Sequence, residues 1–445
     1  MSNQQLSNET VTSQQLSGAI TTATHQIIEG IAKDNSAPQN PVALEVFLDE
    51  AFYFKFIVND NNAPFGKTHL FFPQHDFQFH CDLPLRALKL SIRFADNGKE
   101  LENSPFHLND FGTEIDNKPF RILYKGEPIT ALVENDEQYI EGTRYWLDRR
   151  FSEGYIDGIY FAHQPIYGYR AGYCEPNLLD RYLITFQIMN ALTHFSFKTF
   201  LDVGGAEGYK AAMVAKFFDA QVTSSDVSQQ VCNRAYELYG IETAIGNMHS
   251  LPFEDEQFDM VLCSESLEHV PDFKKSLTEI LRVCKQAAII TVPHESQEMV
   301  KNNIEGREVH AHLQSFDVYS FEYLNKLGYE VFIQKILLRS QKILTPGILM
   351  ECEPSSIDII ENKALKWLAK QAPWLMRLIF NKFVVAPLLE QDAILDQKRT
   401  DLFYGGLLAI IIKDKHAFSA SQKKRIRMRE VMDFTVPFLR KKKIN

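Results

Sequence analysis

The sequence predicts an α/β protein: a doubly wound, mostly parallel sheet preceded by a smaller antiparallel β module. Three observations carry this. After Pro176, short apolar runs of strand length alternate with amphipathic helical runs. Between Pro41 and Leu132, by contrast, short alternating runs are separated only by turn formers such as NDNN, DNGK and NDFG. The first strand of the alternating part also opens into a glycine-rich turn, Asp202-Val203-Gly204-Gly205-Ala206-Glu207-Gly208. Strands joined by helices of this length can only pair parallel, with helices covering both faces.

At 445 residues the chain exceeds one ordinary core, so several domains are expected. Residues 1–40 are rich in Gln, Ser, Asn and Thr and read as a disordered tail, because so few apolar groups cannot offset the ordering entropy. Residues 41–132 hold LEVFLDE, YFKFIVND, ALKLSIRF and FRILYKG, a pattern that predicts an antiparallel β-sandwich. Residues 133–176 form an aromatic-rich linker, read either as packing against its neighbour or as a lid with a stacking surface.

The doubly wound domain is placed at 177–415. Its strands are KTFLDV, AQVTSSD, FDMVLCS and AAIITVP, with NLLDRYLITFQIMNAL, YKAAMVAKFF, SQQVCNRAYELYG and FKKSLTEILRVCK as helices. YEVFIQKILLRS and LLAIIIKDK read as its last two strands, paired antiparallel and separated by a helical insertion at 340–400. Residues 416–445 read as a basic C-terminal tail.

Charge and composition exclude several classes. The net charge of −10 argues against nucleic acid as a partner, which requires a basic face. From Lys413 onward there are eleven Lys/Arg and three Asp/Glu, a local +8 that leaves −18 for the rest. Six cysteines (Cys81, Cys174, Cys232, Cys263, Cys284, Cys352) show no CxxC spacing and read as reduced thiols. No signal peptide and no apolar span of membrane length are visible, so a cytoplasmic protein is expected. Residues 374–389 are apolar almost all round, and 437–445 join apolar anchors to four cations. Both admit two readings, ordinary packing or peripheral contact with the inner membrane face; the former segment also fits a homodimer interface.

Chemistry concentrates at the carboxyl ends of the strands, where open α/β sheets bind ligands. Glycines in the turn let backbone approach closely, yet the spacing is not that of a dinucleotide loop, which would need glycine where Ala206 and Tyr209 stand. Asp226 ends the second strand, where a carboxylate can accept from a ribose. GNMHSLPF (Gly246 to Phe253) follows the third strand, and FDMVLCSESLEHVPD spans the fourth and its loop. These segments together resemble the class I S-adenosylmethionine-dependent methyltransferases, in particular the group acting on quinones, sugars and other small molecules. The resemblance covers about 197–337 plus 405–413.

It implies a Rossmann-like fold and S-adenosylmethionine as cofactor. Asp202, Gly204, Gly205 and Gly208 would then lie at the methionine end, Asp226 at the ribose, Asn247 and Met248 beside the adenine, and Ser264 beside the sulfonium. Two departures stand out: Ala206 replaces the usual middle glycine and Asn247 the usual aspartate.

For a hydroxyl acceptor a general base helps, and histidine suits neutral pH. His269 is expected to be that base, oriented by His294 or Glu295; the competing reading makes His269 a helix cap and the pair backbone contacts. His310 and His312 read as a substrate wall or as exposed loop residues, and with no further ligand evident no metal is expected. The acceptor is expected to be a small molecule or a glycan, methylated at oxygen. Two alternatives remain open: a nicotinamide (NAD)-dependent oxidoreductase on the same sheet, and an inactive scaffold that retains the fold.

Overall fold

The computed structural model describes residues 15–23, 27–37, 40–58, 76–80, 83, 87, 89–108, 123–124, 127–128, 135–168, 173–175, 178–306, 310–339, 367, 371, 380–396 and 404–441. The chain divides into two compact units, residues 1–112 with 400–403, and the remainder.

In the first unit, β1 (Leu16–Ala23), β2 (Ile27–Asp34) and β5 (Asp76–His80) form one antiparallel sheet in the order β1-β2-β5. A second antiparallel sheet runs β4-β3-β6-β7, from β3 (Val42–Leu48), β4 (Ala51–Val58), β6 (Lys89–Phe94) and β7 (Phe106–His107). Strict alternation sends Val42, Leu44, Val46 and Leu48 inward from β3, where they share one core with Ile20, Ile28, Leu90 and Ile92.

The expected disorder of 1–40 is therefore corrected over 16–34, which folds as β1 and β2. Composition averaged over the stretch hid a sparse alternation: Ile20, Ile28 and Ala32 are fully buried. Gly18 and Gly30 permit the close pairing, since a Cβ on Gly18 would lie 2.5 Å from the Ile31 carbonyl. Residues 1–14 lie outside the described residues, as does most of the run expected to continue the sandwich from 109 to 132.

The second unit begins with the small pair β8 (Leu123–Tyr124) and β9 (Glu127–Pro128). The segment expected to be a linker is instead an integral part of this unit. It contains α1 (Asp136–Glu153), capped by Asn135 Oδ1 accepting from the Gln138 N–H at 3.0 Å, and the hairpin of β10 (Tyr155–Ile156) and β11 (Ile159–Tyr160). Its aromatic density has a packing cause: Phe151, Tyr160 and Tyr167 are buried in the main core.

The rest of the unit follows the expected alternation. The elements are α2 (Leu178–Leu192), β12 (Thr199–Val203), α3 (Tyr209–Phe218), β13 (Gln221–Asp226), α4 (Gln229–Tyr239), β14 (Glu242–Ile245) and β15 (Phe258–Ser264). A 3-10 turn, Leu267–His269, then leads to α5 (Phe273–Val283), β16 (Cys284–Pro293), α6 (Gln297–Gly306), α7 (Tyr323–Lys326) and β17 (Glu330–Ile336). A π-helical turn (Phe380–Val385), α8 (Ala386–Asp396), β18 (Gly406–Ile412) and α9 (Met428–Met432) complete it.

Seven strands form one sheet in the order β14-β13-β12-β15-β16-β18-β17. All neighbours are parallel except at β18, which pairs antiparallel with both β16 and β17, as the sequence predicts.

The strands bury both faces by alternation. Phe200, Met260, Leu262 and Ile289 face a core shared with α2, α3 and α8, whereas Leu201, Val203, Val261 and Ile290 face one shared with α5, Phe316 and Phe321. Each fully buried side chain of this size stabilises by about 1.5–3 kcal/mol. Order reverses at β12, which pairs with β13 on one side and β15 on the other, so a crevice opens at the carboxyl ends of these three strands.

Two surface expectations are also revised. Within 374–389, Val385, Ala386 and Leu389 are buried and α8 packs on α2, so these apolar residues face the core; Phe383, at 68%, is exposed. Residues 374–379 and the rest of the insertion from 340 lie outside the described residues apart from Trp367 and Gln371. The basic tail is not a free tail up to Lys441. Met428 and Val431 are fully buried, and the Tyr160 N–H donates to the Leu439 carbonyl at 2.8 Å. No helix of the described residues is long and apolar enough to cross a membrane, and Cys174, Cys232, Cys263 and Cys284 are free thiols.

Candidate active site

The crevice at the carboxyl ends of β12, β13 and β15 is a cleft with a cavity volume of about 120 Å³, partly open to solvent. The sheet contributes Val203, Gly204, Ala206, Asp226, Val227, Asn247, Met248, Ser264, Glu265, Ser266 and His269. Opposite them α1 presents Tyr139, Ile140, Thr143, Trp146, Leu147 and Arg150, with His163, Glu175 and His310 completing the wall.

Of the residues the sequence singled out for a cofactor, Gly204, Asp226, Asn247, Met248 and Ser264 line this cleft; Asp202, Gly205 and Gly208 do not. Their glycine identity has an internal cause rather than the approach of a ligand. A Cβ on Gly205 would lie 2.3 Å from Ser224 Oγ, and one on Gly208 would lie 2.9 Å from the Ala235 methyl group, where α3 meets α4. Asp202 sits beneath the loop, fully buried beside Lys210, with its Oδ2 lacking a partner. Burial, partly offset by that lysine, pushes its carboxyl up to about 6.

Gly204 is a true cleft residue at φ +70°, where a Cβ would lie 2.5 Å from Ser266 Oγ. That hydroxyl in turn donates to the Gly204 carbonyl at 3.2 Å. Ala206, the departure from glycine, holds φ +48°, a left-handed conformation that costs an L-residue about 1–2 kcal/mol.

Asp226 stands at the end of β13 with the Ser228 N–H on its Oδ1 at 3.2 Å. Burial raises its carboxyl to about 6 despite backbone hydrogen bonds from Ser228, Ala206 and Val227. Asn247 uses its side-chain carbonyl to accept from the His249 N–H at 2.8 Å, which closes its own loop and leaves one lone pair for a ligand. Ser264 Oγ is paired with Thr291 Oγ1 at 2.8 Å and is turned into the sheet.

The opposite end is built from histidines. His269 Nδ1 lies 3.1 Å from the Ala311 carbonyl, so the ring donates there and keeps its Nε2 lone pair. It stacks on His310 at 4.0 Å, and His310 stacks in turn on Trp146 at 4.7 Å. Burial, reinforced by the neighbouring rings of His310 and His312, holds His269 well below its usual value. His310 is likewise held down to about 3, first by burial and then by His163 and His312. His310 therefore belongs to this wall, whereas His312, half-buried, packs edge-on against His269 at 4.6 Å outside the cleft lining; neither is an exposed loop residue.

The expected orienting roles are corrected. Glu295 Oε2 lies 2.6 Å from His312 Nδ1, and His294 Nδ1 lies 2.7 Å from the Phe316 carbonyl with its ring stacked on Tyr404. Neither lines the cleft, and backbone at Ala311 orients His269 instead. The geometry also supplies what spacing could not show: Glu268, His269 and His312 offer ligand atoms all within 4.8 Å of one another.

Several cleft residues escaped the sequence reading. Glu175 accepts from His163, Arg150 and Arg181. Burial would raise its carboxyl, but these three partners hold it down to about 2. Glu265, at φ +54°, lines the cleft beside Ser266, and burial raises its carboxyl. The available signal for Glu175 was the aromatic density of the segment up to 176, and for Glu265 its place in FDMVLCSESLEHVPD.

Residues 201–292 match the family model described as a methyltransferase domain. The chain is 33% identical over 99 residues to the O-methyltransferase cnsE of Penicillium expansum, covering 21% of this chain and 36% of that protein. It is 34% identical over 116 residues to a fatty-acid O-methyltransferase of Mycolicibacterium smegmatis, covering 25% and 42%. The chain thus spans about two fifths of the length of these relatives. A solved structure of a Haemonchus contortus phosphoethanolamine N-methyltransferase complexed with S-adenosylhomocysteine aligns over 65% of this chain and 62% of its own, at 18% identity and a TM-score of 0.38.

Proposed function

We propose that this chain, which carries a class I methyltransferase domain, transfers a methyl group from S-adenosylmethionine to the oxygen of a small-molecule acceptor. One observation carries the reading: the cleft lies where strand order reverses, and its sheet side, from Val203 to Val270, falls within the segment that matches the methyltransferase family. The residues present suit the cofactor chemically. Asp226 offers a carboxylate for two adjacent hydroxyls, Val227, Met248 and Ile140 offer apolar surface for a flat base, and the Glu265 carboxyl favours a cationic group.

When bound, S-adenosylmethionine supplies a methyl group already activated by its positive sulfur. The chain's own task is to place a nucleophile in line and to exclude water. The α1 wall and the Trp146–His310 stack cover the cleft, and His269 Nε2 is the group at the wall able to take a hydroxyl proton. Burial, with the neighbouring His310 and His312, holds the ring well below its usual value and so favours its neutral, proton-accepting form.

The relatives' names, an O-methyltransferase and a fatty-acid O-methyltransferase, support an oxygen acceptor and, of the small molecule and the glycan expected from sequence, favour the small molecule. The test is transfer of labelled methyl from S-adenosylmethionine to a panel of fatty acids, phenols, quinols and oligosaccharides. Labelling of at least one oxygen acceptor, lost in His269→Ala, is expected. If only nitrogen acceptors or none are labelled, the reading falls.

A further inference from the structure

We propose that Glu268, His269 and His312 form a binding site for a divalent transition ion of the zinc class. The three residues come from two separated segments, the turn after β15 and the loop after α6, and offer one ligand atom each within 4.8 Å of one another. Two imidazoles and one carboxylate are a recurrent ligand set for zinc and for other borderline divalent ions, with positions left for a substrate.

Two independent features point to an ion rather than to chance proximity. The first is an orphaned acceptor: the Glu268 side chain is 1% exposed, and its Oε2 is buried with no hydrogen-bond partner. Leaving such an atom unpaired costs about 1–3 kcal/mol, and a cation would satisfy it. Its other oxygen, Oε1, lies 3.8 Å from His269 Nε2.

The second is the outer shell. His269 Nδ1 is fixed by the Ala311 carbonyl at 3.1 Å and His312 Nδ1 by the Glu295 carboxylate at 2.6 Å. Each ring therefore gives its outer N–H to an oxygen and keeps its Nε2 lone pair, the arrangement that orients histidines for metals. Donors about 2.0–2.2 Å from a tetrahedral ion sit about 3.4 Å apart, so closing the site requires side-chain shifts of roughly an ångström.

His269 also lines the cleft, so an ion held here stands at its wall; with the Nε2 lone pair then committed to it, the ion rather than the free ring would assist loss of the acceptor's proton by polarising its oxygen. Only this last consequence rests on the methyl-transfer reading; the binding itself does not.

The experiment is calorimetric titration of the full chain with Zn²⁺, after chelator treatment and dialysis, beside a titration with S-adenosylhomocysteine. One ion per chain is expected, at micromolar affinity or tighter. His269→Ala and His312→Ala should each abolish that binding event. Glu295→Gln, which removes the charge of the partner of His312 Nδ1, should weaken it about 10–100-fold, and remains informative if the histidine variants fail to fold. Absence of a stoichiometric site, or affinity unchanged in all three variants, would overturn the proposal. Because S-adenosylhomocysteine is titrated separately, failure of the metal site and failure of the cofactor reading give different results.

Discussion

The two ends of the cleft are built on different principles. At the β13 end the wall is short-range: residues of the turn from Asp202 to Gly208, and single positions at Asp226, which ends β13, and Asn247, two residues beyond β14. Close packing of the protein against itself fixes it, as Ser266 below Gly204 and Ser224 below Gly205 illustrate. At the His269 end the wall is long-range: Trp146 from α1, His269 after β15, and His310 with His312 after α6 converge through ring stacking and carbonyl hydrogen bonds. The first end is suited to a ligand of fixed shape, the second to one that varies. Under the proposed function, the methyl donor would make the first demand and the acceptor the second.

The largest expected effect separates the ends cleanly. His269→Ala should lower kcat about 10²–10⁴-fold while leaving the affinity for S-adenosylhomocysteine within a factor of two or three. If affinity falls with kcat, the histidine end is not functionally separate. Gly204→Ala should do the reverse. Its added methyl meets Ser266 Oγ at 2.5 Å with φ at +70°, so cofactor affinity should fall about tenfold and stability by about 1–2 kcal/mol, read by titration and thermal unfolding.

The pH dependence sharpens the contrast further. Because burial raises the Asp226 carboxyl to about 6, it gains a proton as pH falls through that value and loses its charge as an acceptor. Affinity for S-adenosylhomocysteine should therefore be flat above pH 7 and weaken progressively below about 6. His269, held far below its usual value, should contribute no change in the same window. A loss of affinity on raising the pH above 7 would contradict this assignment. The smallest effect is expected at Ala206→Gly, which relieves the left-handed alanine at φ +48° and should stabilise by up to about 1 kcal/mol with little change in turnover.

The same contrast governs what could be read from the sequence. The order of strands and helices from β12 to β16 was legible because short apolar runs alternate with runs of period 3.6, and because Asp226 and Asn247 stand at or just beyond strand ends; α6 and α7 were not read. The orienting partner of His269 was not, since a backbone carbonyl at Ala311 leaves no trace in residue identity. Glu268 was hidden for a similar reason: its burial beside His312 depends on how the segment after α6 returns to the sheet. In the N-terminal unit, β1 and β2 were missed because only a few apolar residues, correctly phased, are needed to cover one face of a two-stranded turn.

The most direct test of the account is calorimetric titration of S-adenosylhomocysteine into the wild-type chain and into Asp226→Ala. A carboxylate accepting two hydroxyls at about 1.5–3 kcal/mol each predicts binding in the wild type that is weakened about 100-fold or more in the variant. No binding by the wild-type chain, or equal binding by both, would contradict the assignment of the cleft as a methyl-donor site.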